Sequence, residues 1–385
     1  MFIEIITVGN EILAGQTIDT NSAYISSELR KIGIAAHYHT TVGDRPERLL
    51  SILKKALVRT DIIVVTGGLG PTVDDTTLET VSRLIDKKTI QQAKLLKNKV
   101  GTAPGLIISW QKKTLIVLPG VPKEMASMMP EVTKYLKKKQ KNKTIIKTRI
   151  IKITGLPERI VSRRLKGILK IKGNPLIGIY PHTNYVDLKV NAEANSKEKA
   201  GQLIKQAEKK ITQRLGIFIF AKDEQTLEGK VGELLRLQKR TISLAESCTG
   251  GLTANRLTNV GGSSKYFKMG VITYSNESKA SILKISGGLI KKNGAVSPEV
   301  ARLMAKGIRT LARSDLGLAL TGIAGPGGAT RTKPVGLVFI ALATDQGTIC
   351  RKFNFKGDRI AIKLKASEAG LDMVRRYLTK PCEHL

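Results

Sequence analysis

The chain has 385 residues, with 65 Lys and Arg against 31 Asp and Glu, for a formal net charge of +34. Such a length points to two or three domains, and a hydrophobic content of 41% is enough to fill their cores. No apolar run reaches the length of a membrane span, and the first strand-like run lacks the basic flank of a signal peptide. Three cysteines, Cys248, Cys350 and Cys382, are spread too widely for a disulfide framework or a zinc pattern, so a reducing cytoplasm is the expected compartment. The basic balance attracts nucleic acid or anionic metabolites. However, aromatics make up 4% of the chain and do not interleave with the basic runs as single-strand stacking would require, and compositional drift toward lysine accounts for the charge equally well.

Residues 1–143 alternate between strand and helix patterns. IEIITVG reads as a buried strand ending at Gly9. In DTNSAYISSELRKIG, Asp19 or Thr20 is the N-cap, Ala23, Leu29 and Ile32 are apolar positions, and Gly33 is the stop. A strand over 34–42, a helix over 46–58, the buried strand DIIVVTGG, a further helix and the unit TLIVLPGVPKEM follow. This alternation predicts a doubly wound α/β sheet that binds ligands at the carboxyl ends of its strands. Three of those ends are rich in chemistry: Gly9-Asn10-Glu11, the stretch from Thr66 to Thr72 followed by Asp74 and Asp75, and Pro119 to Pro122. Gly-rich turns that feed helices present N–H groups to phosphate, and adjacent carboxylates can hold a divalent cation on it. Singly, each is also ordinary turn geometry or a favourable charge at a helix N-terminus. Together they predict a phosphate or nucleotide site.

Residues 144–225 follow the lysine-rich YLKKKQKNK and read in the order βαββα, a small α+β module. Its glycines fall at 155, 167, 173, 178, 201 and 216, so it has no G-x-x-G loop with which to clamp a nucleic-acid backbone. The module is expected to be architectural or dimerising, with His182 as a turn residue.

Residues 226–385 are again α/β. The stretch from Ser243 to Lys279 gathers several hydroxyls, a Gly pair, a Tyr and a Lys. Serine is a weak nucleophile until a base takes its proton, and a neutral lysine can serve in place of histidine. Burial is the means of keeping that amine neutral. Lys279 is the candidate, just inside a helix start at Ser275-Asn276-Glu277. Ser247 sits where a strand meets a helix, as in a nucleophile elbow. Thr249 is positioned to cap a helix over 250–257, and Ser297 with Pro298 opens another helix. Cys248 invites thiol chemistry, but the one histidine of the domain is His384 at the tail. Thr66 and Thr321 both open a TG-x-x-GP turn after a hydrophobic strand, which suggests two separate strand-end pockets.

The motifs GNEIL-x-G…DTN, TGGLGPT-x-DD-x-T, GTAPG and LPGVP-x-EM resemble the molybdopterin-binding-type domain that opens the CinA family of competence/damage-inducible proteins. AESCTGG, GSS-x-YF-x-x-G-x-x-TYSN-x-x-K, GAVS, TGIAGPGG, KPVG and GDR resemble that family's nicotinamide-nucleotide amidase module. The resemblance implies two α/β sandwich domains, over 1–143 and 226–385, joined by a KH-like α+β module over 144–225. It implies hydrolysis of nicotinamide mononucleotide to nicotinic acid mononucleotide and ammonia, with no cofactor, in a cytoplasmic homodimer. It places the nucleophile at Ser264, with Ser247 as its rival, the base at Lys279 and a proton relay at Tyr274. Ser247 and Thr249 with neighbouring amides such as Gly250 would form the oxyanion site, Thr321 and Gly322 would face the substrate, and Arg359 would grip its phosphate. In the first domain it implies a divalent-metal ADP-ribose pyrophosphatase pocket lined by Glu11, Asn21, Asp44, Gly67, Gly68, Asp74, Asp75 and Glu124, with Asp74 and Asp75 on the metal. The chain departs from the family over 86–100, where a longer helical stretch is expected and TIQQAKLLKNKV stands instead. Two alternatives are a pyrophosphatase alone and a basic nucleic-acid-associated competence protein.

Overall fold

The computed structural model describes residues 1–70, 75–140, 145–169 and 173–379. It divides into two compact units, Met1–Lys147 with Ala192–Gln202, and Thr148–Asn191 with Leu203–Leu385. Most of the middle module thus shares a unit with the C-terminal domain.

The first domain holds β1 (Ile3–Val8), β2 (Tyr38–Val42), β3 (Ile62–Thr66), β4 (Lys94–Leu96), β5 (Gly105–Trp110) and β6 (Lys113–Leu118), in the order β2-β1-β3-β6-β5-β4. The first four strands of that order are parallel, and β5 and β4 add antiparallel pairs. β1 and β3 are buried throughout, as strands covered by helices on both faces must be. β2 starts at Tyr38 rather than at residue 34, because the chain is still approaching the sheet when the His37 N–H reaches the Ile3 carbonyl at 2.8 Å. The N-cap of Thr20–Lys31 is Asp19, whose side chain accepts the Ser22 N–H. In the region of departure from the family, the helix Lys87–Gln91 leads into β4.

Parallel pairing delivers the ends of β1, β2, β3 and β6 to one edge of the sheet. There the Gly9 N–H bonds Val42 O at 3.0 Å and the Gly67 N–H bonds Leu118 O at 3.1 Å. Gly67 has φ +110, and a Cβ on it would lie 2.2 Å from the Val8 carbonyl oxygen. A side chain is excluded at that position by both conformation and space.

In the middle module, β7 (Ile145–Ile153), β8 (Leu176–Pro181), β9 (Val186–Ala194) and β10 (Ile219–Lys222) form a sheet in the order β10-β7-β9-β8. β10, which the βαββα pattern does not include, pairs antiparallel with β7 after the helix Lys197–Leu215.

The C-terminal sheet runs β12-β11-β13-β14-β15, from β11 (Ile242–Glu246), β12 (Phe267–Ile272), β13 (Leu316–Gly322), β14 (Leu337–Ala343) and β15 (Thr348–Asn354). β11 pairs in parallel with β12 and β13, and β14 and β15 are antiparallel additions. Alternation along the strands builds two cores. Leu244, Leu318, Leu320 and Ile340 pack with the helix Arg359–Thr379, while Ala245, Ala319 and Ala341 pack with the helix Pro298–Ala312. The latter helix begins as the sequence predicts, with the Ser297 hydroxyl accepting the Val300 N–H and Pro298 in its first turn.

Helix Leu252–Thr258 is tied down by its one cation. Arg256 bonds Glu228 and Glu368 at 2.8 Å each and Ser367 at 3.2 Å, and Glu368 is 3% exposed. Glu368 also accepts from Asn184 of the middle module at 2.9 Å. Removing one member of a buried ion pair strands the other, so Arg256→Met should lower unfolding stability by about 3–5 kcal/mol in denaturant melts. Adding Glu368→Leu to Arg256→Met should recover most of that loss, whereas additive losses would show that the pair is not the source.

Candidate active site

The C-terminal site forms where β11 ends and the chain turns into the helix Leu252–Thr258. The turn bends through Gly250 at φ +61 and Gly251 at φ +90, and the Gly250 N–H closes on Ser247 O at 3.1 Å. Glu246 holds the helix start. Its buried carboxylate accepts the N–H groups of Gly251 (3.1 Å), Thr253 (3.1 Å) and Ala254 (2.7 Å), placing negative charge at the positive end of the helix. This corrects the expectation for Thr249, which does not cap the helix; its hydroxyl is buried without a partner among the described residues. Glu246 was missed at the sequence level, although an acid closing an otherwise apolar strand is a signal for such a role.

Lys279 enters from the helix Asn276–Leu283, capped by Ser275. Its side chain is among the largest that are fully buried, at 1% exposure. Nζ lies 3.3 Å from Ser247 Oγ, 2.8 Å from Thr273 O, 3.1 Å from Tyr274 O and 3.4 Å from Ser275 O. The carbonyl oxygens favour an ammonium, but loss of water opposes it and dominates, so burial pulls the Lys279 pKa below the ordinary lysine value. Burial acts the other way on Cys248, pushing its thiol up to about 12. The thiol beside Ser247 is therefore held protonated and weakly nucleophilic.

The structure separates Ser264 from this pair. Ser264 lies in the exposed single turn Ser263–Lys265 before β12, whereas Lys279 follows the far end of that strand. Six strand residues at about 3.3 Å each put roughly 20 Å between the two ends of β12. Within one chain the hydroxyl at Lys279 is that of Ser247, not that of Ser264. Tyr274 meets Lys279 through its backbone. Its side chain is 60% exposed and its hydroxyl accepts from Arg359 Nη2 at 3.0 Å. Arg359 Nη1 donates to Gly325 O at 2.6 Å. Thr321 is buried and gives its hydroxyl proton to Ala295 O at 2.9 Å, which fastens the loop before Ser297. A Cβ at Gly322 would fall 2.6 Å from Leu337 O, which makes that glycine a strand-packing requirement.

In the first domain, residues from four strand ends meet at the carboxyl edge. Asn21 Nδ2 donates to Thr66 Oγ1 at 3.0 Å and to Gly120 O at 2.7 Å, and its Oδ1 is buried without a partner among the described residues. Asp44 accepts the Asn10 N–H at 3.0 Å, and its carbonyl accepts from Thr76 at 2.9 Å. The Asp75 carboxylate lies against Gly70, and a Cβ at Gly68 would press on the Thr77 hydroxyl. Glu11 is exposed and folds over Gly9. Glu124 accepts from Asn98 at 2.6 Å, and Asn98 in turn holds the Val100 and Gly101 N–H groups. Asp74 lies outside the described residues. Among the described residues, no group of three or more His, Cys, Asp or Glu is arranged to hold a metal ion. Nor is any described helix long and apolar enough to cross a membrane.

Family models match the chain in three consecutive stretches. A probable molybdopterin binding domain matches residues 4–138, a damage-inducible protein CinA KH domain matches 148–221, and a CinA C-terminal domain matches 224–378. A competence-damage inducible protein of Caldanaerobacter subterraneus is 41% identical over 407 residues, spanning 97% of this chain and 98% of its own length. One from Clostridium beijerinckii is 40% identical, spanning 98% of this chain and 99% of its own length. The first alignment is longer than this chain, so this chain has gaps relative to that relative. Among solved structures, a competence/damage inducible protein from Agrobacterium tumefaciens is 35% identical, covering 40% of this chain and 94% of its own, with a TM-score of 0.39.

Because the Lys279 pKa is lower folded than unfolded, the unfolded state binds more protons between the two values, and stability rises with pH across that window. The penalty for burying the charge is full below the folded value and vanishes above the unfolded one. The thermal midpoint of Lys279→Met, taken relative to the parent, should therefore be highest near neutrality and fall as pH rises toward 10.5. A difference independent of pH would show that the amine is not desolvated.

Proposed function

Since the chain belongs to the CinA family, we propose that its C-terminal domain is an amidohydrolase that converts nicotinamide mononucleotide to nicotinic acid mononucleotide and ammonia, with Ser247 as nucleophile and Lys279 as base. The reading is carried by the 3.3 Å approach of the buried Lys279 amine to the Ser247 hydroxyl. A neutral amine can satisfy two carbonyl oxygens, Thr273 O and Tyr274 O, with its N–H bonds and keep its lone pair for the hydroxyl proton.

The chemistry follows from that disposition. Lys279 takes the proton as Ser247 Oγ attacks the carboxamide carbon, giving a tetrahedral intermediate whose oxygen becomes anionic. The turn after Ser247, with its backbone N–H groups and the unpartnered Thr249 hydroxyl, supports the developing charge. On collapse the C–N bond breaks, Lys279 returns its proton to the leaving nitrogen, and ammonia departs. Water, deprotonated by the same amine, then cleaves the acyl ester and restores Ser247. Glu246 holds the turn in place by binding three N–H groups of the following helix.

Ammonia release from nicotinamide mononucleotide, measured with EDTA present, tests this reading. Wild type should be active. Ser247→Ala and Lys279→Met should lose about three orders of magnitude or more in kcat, as expected when one member of a cooperating pair is removed. Ser264→Ala should stay within about twofold of wild type, since its hydroxyl is outside the reacting group. Loss of activity in Ser264→Ala with Ser247→Ala active would move the nucleophile, and an inactive wild type would remove the amidohydrolase assignment. In an active wild type, kcat should rise with pH through a pKa below the ordinary lysine value as Lys279 becomes neutral.

A further inference from the structure

Building on the amidohydrolase reading, we propose that Lys363 is a second substrate-binding residue that takes the phosphomonoester of the nucleotide. Arg359 and Lys363 are four residues apart on the helix Arg359–Thr379 and so share a face. Their surroundings differ. Arg359 spends two N–H bonds on Gly325 O and the Tyr274 hydroxyl, fastening Tyr274 to the loop at Gly325. Lys363 Nζ takes part in no hydrogen bond or ion pair among the described residues, although the side chain is half-buried.

The position of that ammonium is specific. A Cβ built on Gly250 would lie 3.6 Å from Nζ, so the amine faces the turn that carries Ser247. Its charge reaches the thiol of Cys248, next to Ser247, where it works against the effect of burial. The acid of the turn, Glu246, forms no ion pair with it; both of its carboxylate oxygens bond N–H groups at the start of the next helix. A lysine whose stem is half-buried and whose ammonium has no acidic partner is a ready donor to an anionic ligand. Gly250 supplies the bare backbone over which the ligand passes, so that its phosphate meets Nζ while its carboxamide meets Ser247.

Steady-state kinetics on the full chain compare nicotinamide mononucleotide with nicotinamide riboside, which lacks the phosphate. For Lys363→Ala, KM for the mononucleotide should rise about 10- to 100-fold, the range of one lost charge-assisted hydrogen bond, with kcat nearly unchanged. The riboside should show no change, and Lys363→Arg should recover most of the affinity. Equal effects on both substrates, or on neither, would overturn the assignment while leaving the amidohydrolase intact. If wild type releases ammonia from neither compound, the amidohydrolase reading fails, and calorimetric titration with nicotinic acid mononucleotide decides the phosphate contact alone. Binding weakened about tenfold or more in Lys363→Ala supports it, and equal binding by wild type and variant, or no binding by either, rejects it.

Discussion

Desolvation of a single amine is the constraint on which the C-terminal domain is built. Lys279 is fully buried, and among the described residues its Nζ hydrogen-bonds only backbone carbonyls and the Ser247 hydroxyl. Such an environment is costly for a charged lysine and gives a neutral one useful chemistry. The neighbouring elements keep it dry and in register. β11 and β12 run in parallel, so Ser247 at the end of one strand and the 273–275 carbonyls at the end of the other meet at the same edge.

The same burial decides which neighbour of Lys279 can react. Cys248 and Ser247 are adjacent, yet desolvation raises the thiol pKa to about 12 while the serine hydroxyl needs no prior ionisation. Around them the polar groups divide into those that hold the turn and those that remain unbonded. Glu246, Thr321 and Arg359 have their bonds filled by backbone or by Tyr274, whereas Thr249 Oγ1 and Lys363 Nζ have none among the described residues. Groups left unsatisfied beside the Ser247–Lys279 pair are where a ligand would gain the most.

The first domain follows the same parallel-edge logic with different chemistry. Gly67 must lack a side chain because Val8 O occupies that space, and Asn21 crosses to Thr66 and Gly120 to join separate strand ends. Several of its residues were legible as a set because glycine-rich turns follow the apolar strands β1, β3 and β6. Their separate bonds were not, since Asp44 and Glu124 turn out to anchor loops in addition to lining an edge.

What the sequence determined by itself were properties carried by local pattern. Apolar runs ended by glycine specified the α/β sheets, Asp19 and Ser297 specified helix starts, and the motif set specified the family. Lys279 stood out through its place at the end of the GSS-x-YF-x-x-G-x-x-TYSN-x-x-K motif, just inside a helix start. The tertiary structure decided what depends on parallel pairing across long separations. It put Ser247, thirty-two positions earlier in the chain, against Lys279, and left Ser264, closer in sequence, at the opposite end of β12. It also gave the helix cap to Glu246 and the unbonded cation to Lys363. Strand direction, not sequence distance, sets which end of a sheet a residue occupies, and that direction exists only once the strands have paired.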